Sequence, residues 1–254
     1  MVPKHASRRQ RAACRSPLRQ SRIRQFVATS STIAIAIDGP MGSGKSTVAR
    51  EVARRLGFRY VDTGAMYRAV AVVALRRGIP ADDPEAIAGV ARAIRLGVQT
   101  GPDGGTRVTV DGDDVTSELR TVSVNRFVGK VASVPGVRAV LAALQRELGA
   151  AGGAVMDGRD IGSVILPEAR VKVFLTASPE VRARRRQTEL AAAGETVSLE
   201  EVRRIEDEDD RAAATREVGP LRVAPDAVVI DSSDLDVGQV VDQILALVEQ
   251  ARGL

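Results

Sequence analysis

A glycine-rich segment followed by Lys-Ser-Thr lies directly after an apolar run near residue 40. Residues 33–47 read IAIAIDGPMGSGKST, and Gly39 to Ser46 match the spacing G-x-x-x-x-G-K-S. Glycines at these positions let the backbone curl so that successive N–H groups point into one concavity, which suits a polyphosphate. Lys45 would reach the β- and γ-phosphates, and the Ser46 hydroxyl could ligate Mg²⁺. The segment therefore predicts a site for a nucleoside triphosphate with Mg²⁺. The predicted nucleotide-binding residues are Gly39, Pro40, Met41, Gly42, Ser43, Gly44, Lys45, Ser46 and Thr47.

Two further polar segments follow predicted strands and could face the same site. VDTGAMYR spans residues 61–68 and contains Thr63 and Arg68, and MDGRDIGS spans residues 156–163 and contains Arg159 and Asp160. Ligands of parallel α/β sheets bind at the carboxyl ends of the strands. Both segments are therefore expected to converge on the glycine-rich segment.

Apolar periodicity predicts an α/β fold with a parallel sheet around these segments. Alternating residues at 98–100 and 107–111, around the turn GPDGG, predict a small antiparallel insertion. The other predicted strands span 33–38, 58–61, 154–156, 171–175 and 227–230. The predicted helices span 46–56, 65–77, 137–148, 179–192, 198–214 and 237–251.

Composition excludes several kinds of chemistry from most of the chain. The single cysteine and the single histidine are Cys14 and His5, so the chain beyond residue 31 has no disulfide, thiolate nucleophile, histidine base or Cys/His metal site. No apolar stretch approaches the ~20 residues that span a bilayer. Carboxylates, Lys, Arg, hydroxyl side chains and backbone amides must therefore supply the chemistry.

The basic character of the chain is confined to its first residues. Eight Lys and Arg residues and no acidic residue precede Asp38, so the formal net charge of +5 leaves about −3 for the remainder. Residues 1–31, rich in Arg, Ser and Gln, are predicted to form a disordered basic tail, with an organelle transit peptide as the less favoured interpretation. A mildly acidic globular part disfavours a nucleic-acid-binding domain. We expect a cytoplasmic monomer without nucleic-acid or membrane partners.

The glycine-rich segment alone does not define the acceptor of the phosphoryl group. A GTPase would carry a guanine-reading Asn/Thr-Lys-x-Asp segment, and a motor or helicase would be larger and carry an apolar strand ending in Asp-Glu. The sequence contains neither pattern. Water in an ATPase and a small molecule in a kinase stay open as acceptors at this point.

Five segments occur in the order found in bacterial cytidylate kinases. They are IDGPMGSGKST, DTGAMYR, PGVR (135–138), DGRDIG and REVGPL (216–221), and the chain resembles this family over about residues 33–250. The resemblance implies an α/β P-loop kinase domain over residues 32–254, in which helices flank a parallel sheet. It also implies an antiparallel monophosphate-binding insertion at about 95–135 and a helical lid at about 183–216. The implied activity is Mg²⁺-dependent transfer of the γ-phosphoryl group of ATP to CMP or dCMP.

The resemblance also assigns roles to individual side chains. Asp160 and Arg138 would read the cytosine, whose amino group suits a carboxylate and whose N3 and O2 acceptors suit an arginine. Phosphoryl transfer depends mainly on positioning and on neutralising charge, so no histidine base is required. The predicted monophosphate-binding residues are Thr63, Arg68, Arg138, Arg159, Asp160 and Arg216. The predicted catalytic residues are Lys45, Arg159 and Arg216.

Several positions depart from the family pattern. Gly129 replaces a serine on the cytosine side, which leaves UMP open as an alternative acceptor. In the lid, Asp209 and Ala213 stand where the family has an arginine and a ribose-side aspartate, and Arg211 could substitute only if the helix is shifted. We therefore expect altered discrimination between CMP and dCMP. A nucleotide-binding module with an impaired lid is the non-enzymatic alternative.

Two charge-rich stretches of the lid are expected to be solvated. They are ARRR at 183–186 and EDEDD at 206–210, and the second lacks the glycine and the spacing of a calcium loop. Neither stretch is assigned chemistry.

Overall fold

Within the described residues, five parallel strands form the central sheet of the protein. The computed structural model describes residues 33–101, 104–192 and 194–253, so the predicted tail, with His5 and Cys14, lies outside the described part. The strands of this sheet are β1 (Ala34–Asp38), β2 (Arg59–Asp62), β6 (Ala154–Gly158), β7 (Val171–Thr176) and β8 (Val228–Asp231). Their order across the sheet is β2-β6-β1-β7-β8, and each neighbouring pair is parallel.

The strands of the sheet are short apolar runs because helices cover both of its faces. Ile35 and Ile37 of β1 pack with side chains of α1 and α8, whereas Ala36 faces the opposite side together with Met156 and Ile161. The helices are α1 (Lys45–Leu56), α2 (Thr63–Arg76), α3 (Pro84–Ala93), α4 (Val122–Ser133), α5 (Pro135–Ala150), α6 (Pro179–Ala192), α7 (Leu199–Ala214) and α8 (Val237–Arg252). A 3₁₀ turn spans Thr116–Glu118 and a π-helical turn spans Ile161–Ile165.

The predicted hairpin is confirmed as part of a second, antiparallel sheet. Its strands are β3 (Leu96–Thr100), β4 (Thr106–Val110) and β5 (Asp113–Asp114), and Val98 lies opposite Val108. Val108 and Val110 are buried in the same apolar cluster as side chains of α2, α3 and α4. The insertion therefore shares a core with the helices that flank the parallel sheet.

The two charged helices α6 and α7, which the sequence analysis expects to form a lid, pack against each other directly after β7. The Ser198 side chain caps α7 by accepting a hydrogen bond from the N–H of Glu201 (3.2 Å). The predicted spans of both helices agree with the observed ones within one residue.

Two helices, α3 and α4, were not predicted from the sequence pattern. A local signal for α3 exists, because Pro84 is its first residue and Asp83 caps it by accepting from the N–H of Ala86 (2.9 Å). Among the described residues, no single helix is long and apolar enough to cross a membrane. One pair, α4 and α5, bent by 92°, passes that test on length and composition alone.

Candidate active site

The glycine-rich segment forms a loop between β1 and α1. Gly44 adopts a φ of 87° at the N-terminus of α1, a left-handed conformation that glycine accommodates without strain. Lys45 is buried, and its Nζ donates to the Pro40 carbonyl (2.6 Å) and lies 3.3 Å from Ser43 Oγ. Burial and the nearby charge of Arg159 lower the pKa of Lys45 to about 7. The loop thus presents backbone N–H groups, a helix N-terminus and one ammonium group to an anion.

The hydroxyl of Ser46 contacts a carboxylate that ends β6. Ser46 Oγ donates to Asp157 Oδ2 (2.7 Å), and the hydroxyl of Tyr60 donates to Asp157 Oδ1 (3.1 Å). Burial, together with the nearby Asp62 carboxylate, raises the pKa of Asp157 to about 6. A hydroxyl beside a carboxylate is a donor set that suits Mg²⁺ on a nucleotide. Asp157 was not predicted, although an acid directly after the apolar AVM of β6 was a usable signal.

Four predicted arginines (Arg68, Arg138, Arg159 and Arg216) and Lys45 line one cavity of about 420 Å³. The NH1 group of Arg159 donates to the Gly39 carbonyl (2.8 Å), which ties this arginine to the glycine-rich loop. Burial lowers the pKa of Arg68 and of Arg216. Within the described part of the chain, Arg68 Nε has no hydrogen-bond partner. A half-buried arginine with an unused donor is suited to bind an anion.

The structure brings most of the predicted site residues to this cavity. Those that line it are Met41, Gly42, Gly44, Lys45, Ser46, Thr47, Thr63, Arg68, Arg138, Arg159, Asp160 and Arg216. Gly39, Pro40 and Ser43 lie behind them: carbonyls of the first two accept from Arg159 and Lys45, and Ser43 Oγ donates to the Pro40 carbonyl (3.1 Å). Charged residues that also line the cavity and were not predicted are Arg50, Asp62, Arg120, Asp157, Arg186, Glu189 and Asp209.

Arg138 and Asp160 form a buried ion pair in the wall of the cavity. The NH2 group of Arg138 donates to the Asp160 carboxylate, and its NH1 group donates to the Ala132 carbonyl (3.4 Å). The guanidinium also lies 5.7 Å from the centre of the Tyr67 ring. Burial raises the pKa of Asp160, and the charge of Arg138 opposes that shift. The pair presents one cation and one carboxylate side by side, and Thr63 Oγ1, which donates to the Asp157 carbonyl (2.6 Å), lines the same cavity.

Asp38 fixes the loop that carries Arg159 and Asp160. It ends β1, is buried, and accepts the backbone N–H groups of Ile161 (2.8 Å) and Gly162 (2.7 Å). Both distances are typical of strong N–H···O bonds. The position of the Arg159–Asp160 segment relative to the glycine-rich loop is therefore set by one carboxylate.

A model of the cytidylate kinase family matches residues 35–250. The chain belongs to the cytidylate kinase family. It is 50% identical over 218 residues to a cytidylate kinase of Pelotomaculum thermopropionicum, covering 86% of this chain and 96% of the relative. It is 49% identical over 222 residues to a cytidylate kinase of Mycolicibacterium paratuberculosis, covering 87% and 97%. A solved shikimate kinase from Bacteroides thetaiotaomicron has a TM-score of 0.45 and 15% identity, covering 85% and 98%.

In this member of the cytidylate kinase family, helices α6 and α7 lie on the glycine-rich loop. Arg182 donates to the Met41 carbonyl (2.9 Å) and pairs with Asp210 (2.7 Å), which in turn accepts the Met41 N–H (3.1 Å). Arg185 donates to the Ser232 carbonyl (2.7 Å). These contacts connect both lid helices to the loop expected to hold the triphosphate.

The expectation of two solvated stretches in the lid is wrong for part of each. Within ARRR only Arg184 is exposed, whereas Arg185 is half-buried against Ser232 and Arg186 lines the cavity. Within EDEDD, Glu206 is buried, and Asp209 and Asp210 form ion pairs. The reason is that α7 packs its acidic face onto the loop and its arginines. In the described ranges, no group of three or more His, Cys, Asp or Glu side chains could hold a metal ion.

The positions that depart from the family pattern have different surroundings. Gly129 of α4 lines the cavity, and a Cβ atom there would meet no heavy atom within 4 Å. Asp209 also lines the cavity, whereas Ala213 is fully buried inside the lid and Arg211 is exposed. Arg211 therefore does not take the place of the missing lid arginine in this conformation.

Proposed function

We propose that the protein transfers the γ-phosphoryl group of ATP to CMP or dCMP. The observation that carries this proposal is the buried Arg138–Asp160 pair, which lines the same cavity as Lys45 of the glycine-rich loop. A base-reading pair and a triphosphate loop in one cavity would place a nucleotide acceptor beside the phosphoryl donor. Membership in the cytidylate kinase family supports the same assignment.

The base is read through complementary charge. Cytosine presents an amino donor next to ring acceptors, so a carboxylate and a guanidinium held side by side match its polar edge. Asp160 accepts from the amino group, and Arg138 donates to N3 and O2. In the absence of a base the two side chains satisfy each other, which explains why a pair so deeply buried is tolerated.

The phosphates are held by the loop and the arginines. Lys45 binds the β- and γ-phosphates, and Arg68, Arg159 and Arg216 bind the acceptor phosphate. Their summed positive charge offsets the negative charge that spreads over the transferred phosphoryl group. We assign the catalytic roles to Lys45, Arg159 and Arg216, because Arg159 contacts the loop and shares the cavity with the other two.

Mg²⁺ is the metal that the donor set accommodates best. Ser46 Oγ and Asp157 Oδ2 are 2.7 Å apart and both residues line the cavity. We propose that Ser46 and Asp157 would hold the metal on the bound nucleotide. Mg²⁺ would supply charge neutralisation between the β- and γ-phosphates.

The organisation of the chain follows from this assignment. We propose that residues 32–254 form the kinase domain, with residues 95–135 as the monophosphate-binding insertion and residues 183–216 as the lid. The balance of about −3 outside the basic tail supports free nucleotides, rather than nucleic acid or a membrane, as partners. We further propose a monomer that acts in the cytoplasm.

Discrimination between ribose and deoxyribose is proposed to be altered. The family aspartate is replaced by Ala213, which is fully buried, so the lid offers no carboxylate at this position. The ratio of kcat/KM for CMP to that for dCMP should therefore change in Ala213→Asp. Equal ratios in the variant and the natural protein would count against this part of the proposal.

The deciding experiment is initial ADP formation with ATP and Mg²⁺ and equal concentrations of CMP, dCMP, UMP or AMP. The proposal expects strong preference for CMP or dCMP, and no turnover in Lys45→Ala. Preference for UMP would move the assignment to another pyrimidine acceptor. Saturable ATP binding without turnover on any acceptor would instead indicate a nucleotide-binding module with an impaired lid.

A further inference from the structure

A carboxylate of the lid lies among the arginines of the cavity. Asp209 Oδ2 is 3.1 Å from Arg159 NH2, and both side chains are only about a quarter exposed, at 25% and 21%. Asp209 also acts on Arg216, since its charge raises the pKa of that guanidinium against the lowering effect of burial. Asp209 therefore pairs with Arg159 and lines the same cavity as Arg216.

The geometry of Arg159 leaves one edge for an anion. Its NH1 group is committed to the Gly39 carbonyl (2.8 Å), which fixes the guanidinium on the glycine-rich loop. Its NH2 group holds Asp209. A phosphate and a carboxylate use the same fork of N–H donors, so they cannot both occupy this edge.

The other acidic groups of α7 do not share this position. Asp210 is committed to the Met41 N–H and to Arg182, and Glu206 is buried against Arg182 and Gly42. Asp207 is exposed. Asp209 is thus the acidic side chain of α7 that an incoming phosphate would displace.

We propose that Asp209 is a positioning residue that occupies the phosphate-binding edge of Arg159 until the acceptor phosphate binds and so sets the affinity for that phosphate. The inference rests on the proposed function, because it treats Arg159 as part of the acceptor site. Binding exchanges a carboxylate for a phosphate on the same guanidinium. The free energy needed to separate Asp209 from Arg159 is subtracted from the binding free energy of the monophosphate.

Removing the carboxylate charge should therefore strengthen phosphate binding. In Asp209→Asn, the KM for CMP should fall about fivefold, which is the size expected for a partly buried ion pair. Asp209→Ser, which is also neutral, should show the same fall in the KM for CMP. Asp209→Glu keeps the charge and should stay within about twofold of the natural protein, as should the exposed control Asp207→Asn.

A binding measurement separates this inference from the proposed function. Calorimetric titration with inorganic phosphate at constant ionic strength, with the glycine-rich loop saturated by a non-hydrolysable ATP analogue, should give about fivefold tighter binding in Asp209→Asn. If the natural protein does not phosphorylate CMP, the proposed function fails, and the phosphate titration still decides the role of Asp209. Unchanged or weaker phosphate binding in both neutral variants would overturn the inference. A higher KM together with a lower kcat would also overturn it, because Asp209 would then support Arg159 in the bound state.

Discussion

Replacing Asp38 by asparagine tests the carboxylate that links the end of β1 to the Arg159–Asp160 loop. Asp38 is buried and accepts two backbone N–H groups at 2.8 and 2.7 Å. Burial is the main reason that its pKa rises from 3.8 to about 6, and the two N–H donors oppose that rise. Asparagine keeps the shape but carries no charge, and its single oxygen can accept only one of the two N–H groups. The pH dependence of the change in stability, rather than its size at one pH, therefore reports the ionisation of Asp38.

The rise in the pKa of Asp38 sets the size and the sign of the expected change in unfolding free energy. At 1.36 kcal/mol per pKa unit, a rise of about two units corresponds to roughly 3 kcal/mol. Because the folded-state pKa is the higher one, the folded protein binds more protons than the unfolded chain between pH 3.8 and about 6. The contribution of Asp38 to stability is therefore present at low pH and is lost as the pH rises through this window. Roughly half of the loss falls between pH 5 and pH 8.

Urea unfolding at pH 5 and pH 8 measures the difference in unfolding free energy between Asp38→Asn and the natural protein. That difference should move in favour of the variant by about 1.5 kcal/mol between the two pH values. The exposed control Asp207→Asn should show no such change. A difference that is constant with pH, or that moves against the variant, would refute the assignment of Asp38 as a buried ionised carboxylate.

Three further predictions concern the wall of the cavity and the lid. Gly129→Ser has room for its side chain and adds a hydroxyl near the base, so the ratio of kcat/KM for CMP to that for UMP should rise several-fold, whereas Gly129→Ala should leave it unchanged. Gly42→Ala forces a side chain at a φ of 73° and places its Cβ 2.5 Å from Glu206 Oε1, so the KM for ATP should rise at least about tenfold in steady-state assays. Burial raises the pKa of Glu206 from 4.5 to about 7, so the natural protein loses stability as the pH rises through that range. The difference in melting temperature between Glu206→Gln and the natural protein should therefore be more favourable to the variant at pH 8 than at pH 5.

The parallel strands and most helices could be predicted because their signals are local. The run AIAID in β1 is apolar and β-branched because both faces of the sheet are covered, and the φ of Gly57 and Gly78 is positive, near 65°, after the helices that they end. Helix α4 was missed because its sequence, VSVNRFVGKVAS, combines β-branched residues with a glycine and has low helix propensity. Its Val124, Phe127 and Val131 are buried, so tertiary packing overrides that preference.

In the candidate site, too, the features with a local signal could be predicted from the sequence and those that depend on tertiary packing could not. The glycine-rich loop and the strand-end residues Arg159 and Asp160 could be located from sequence, because a strand ending in a turn fixes where its next residues lie. The ion pair between Asp209 and Arg159 could not, since it joins residues 50 positions apart through the way α7 folds back onto the loop. Local periodicity predicts that EDEDD forms a solvated helix face. It contains no information on the residues that this face contacts in the folded protein.

The charges of the cavity explain how phosphoryl transfer can proceed without a histidine. The carboxylates that line it each have a cation or a hydroxyl as a partner: Asp62 has Arg120, Asp157 has Ser46 and Tyr60, Asp160 has Arg138, Glu189 has Arg186, and Asp209 has Arg159. The cationic groups exceed what these partners neutralise, because Lys45, Arg68 and Arg216 also line the cavity. An anionic nucleotide pair is therefore the ligand that completes the balance. Once it is bound, the reaction needs a fixed geometry and a neutralised phosphoryl group rather than a base with a shifted pKa.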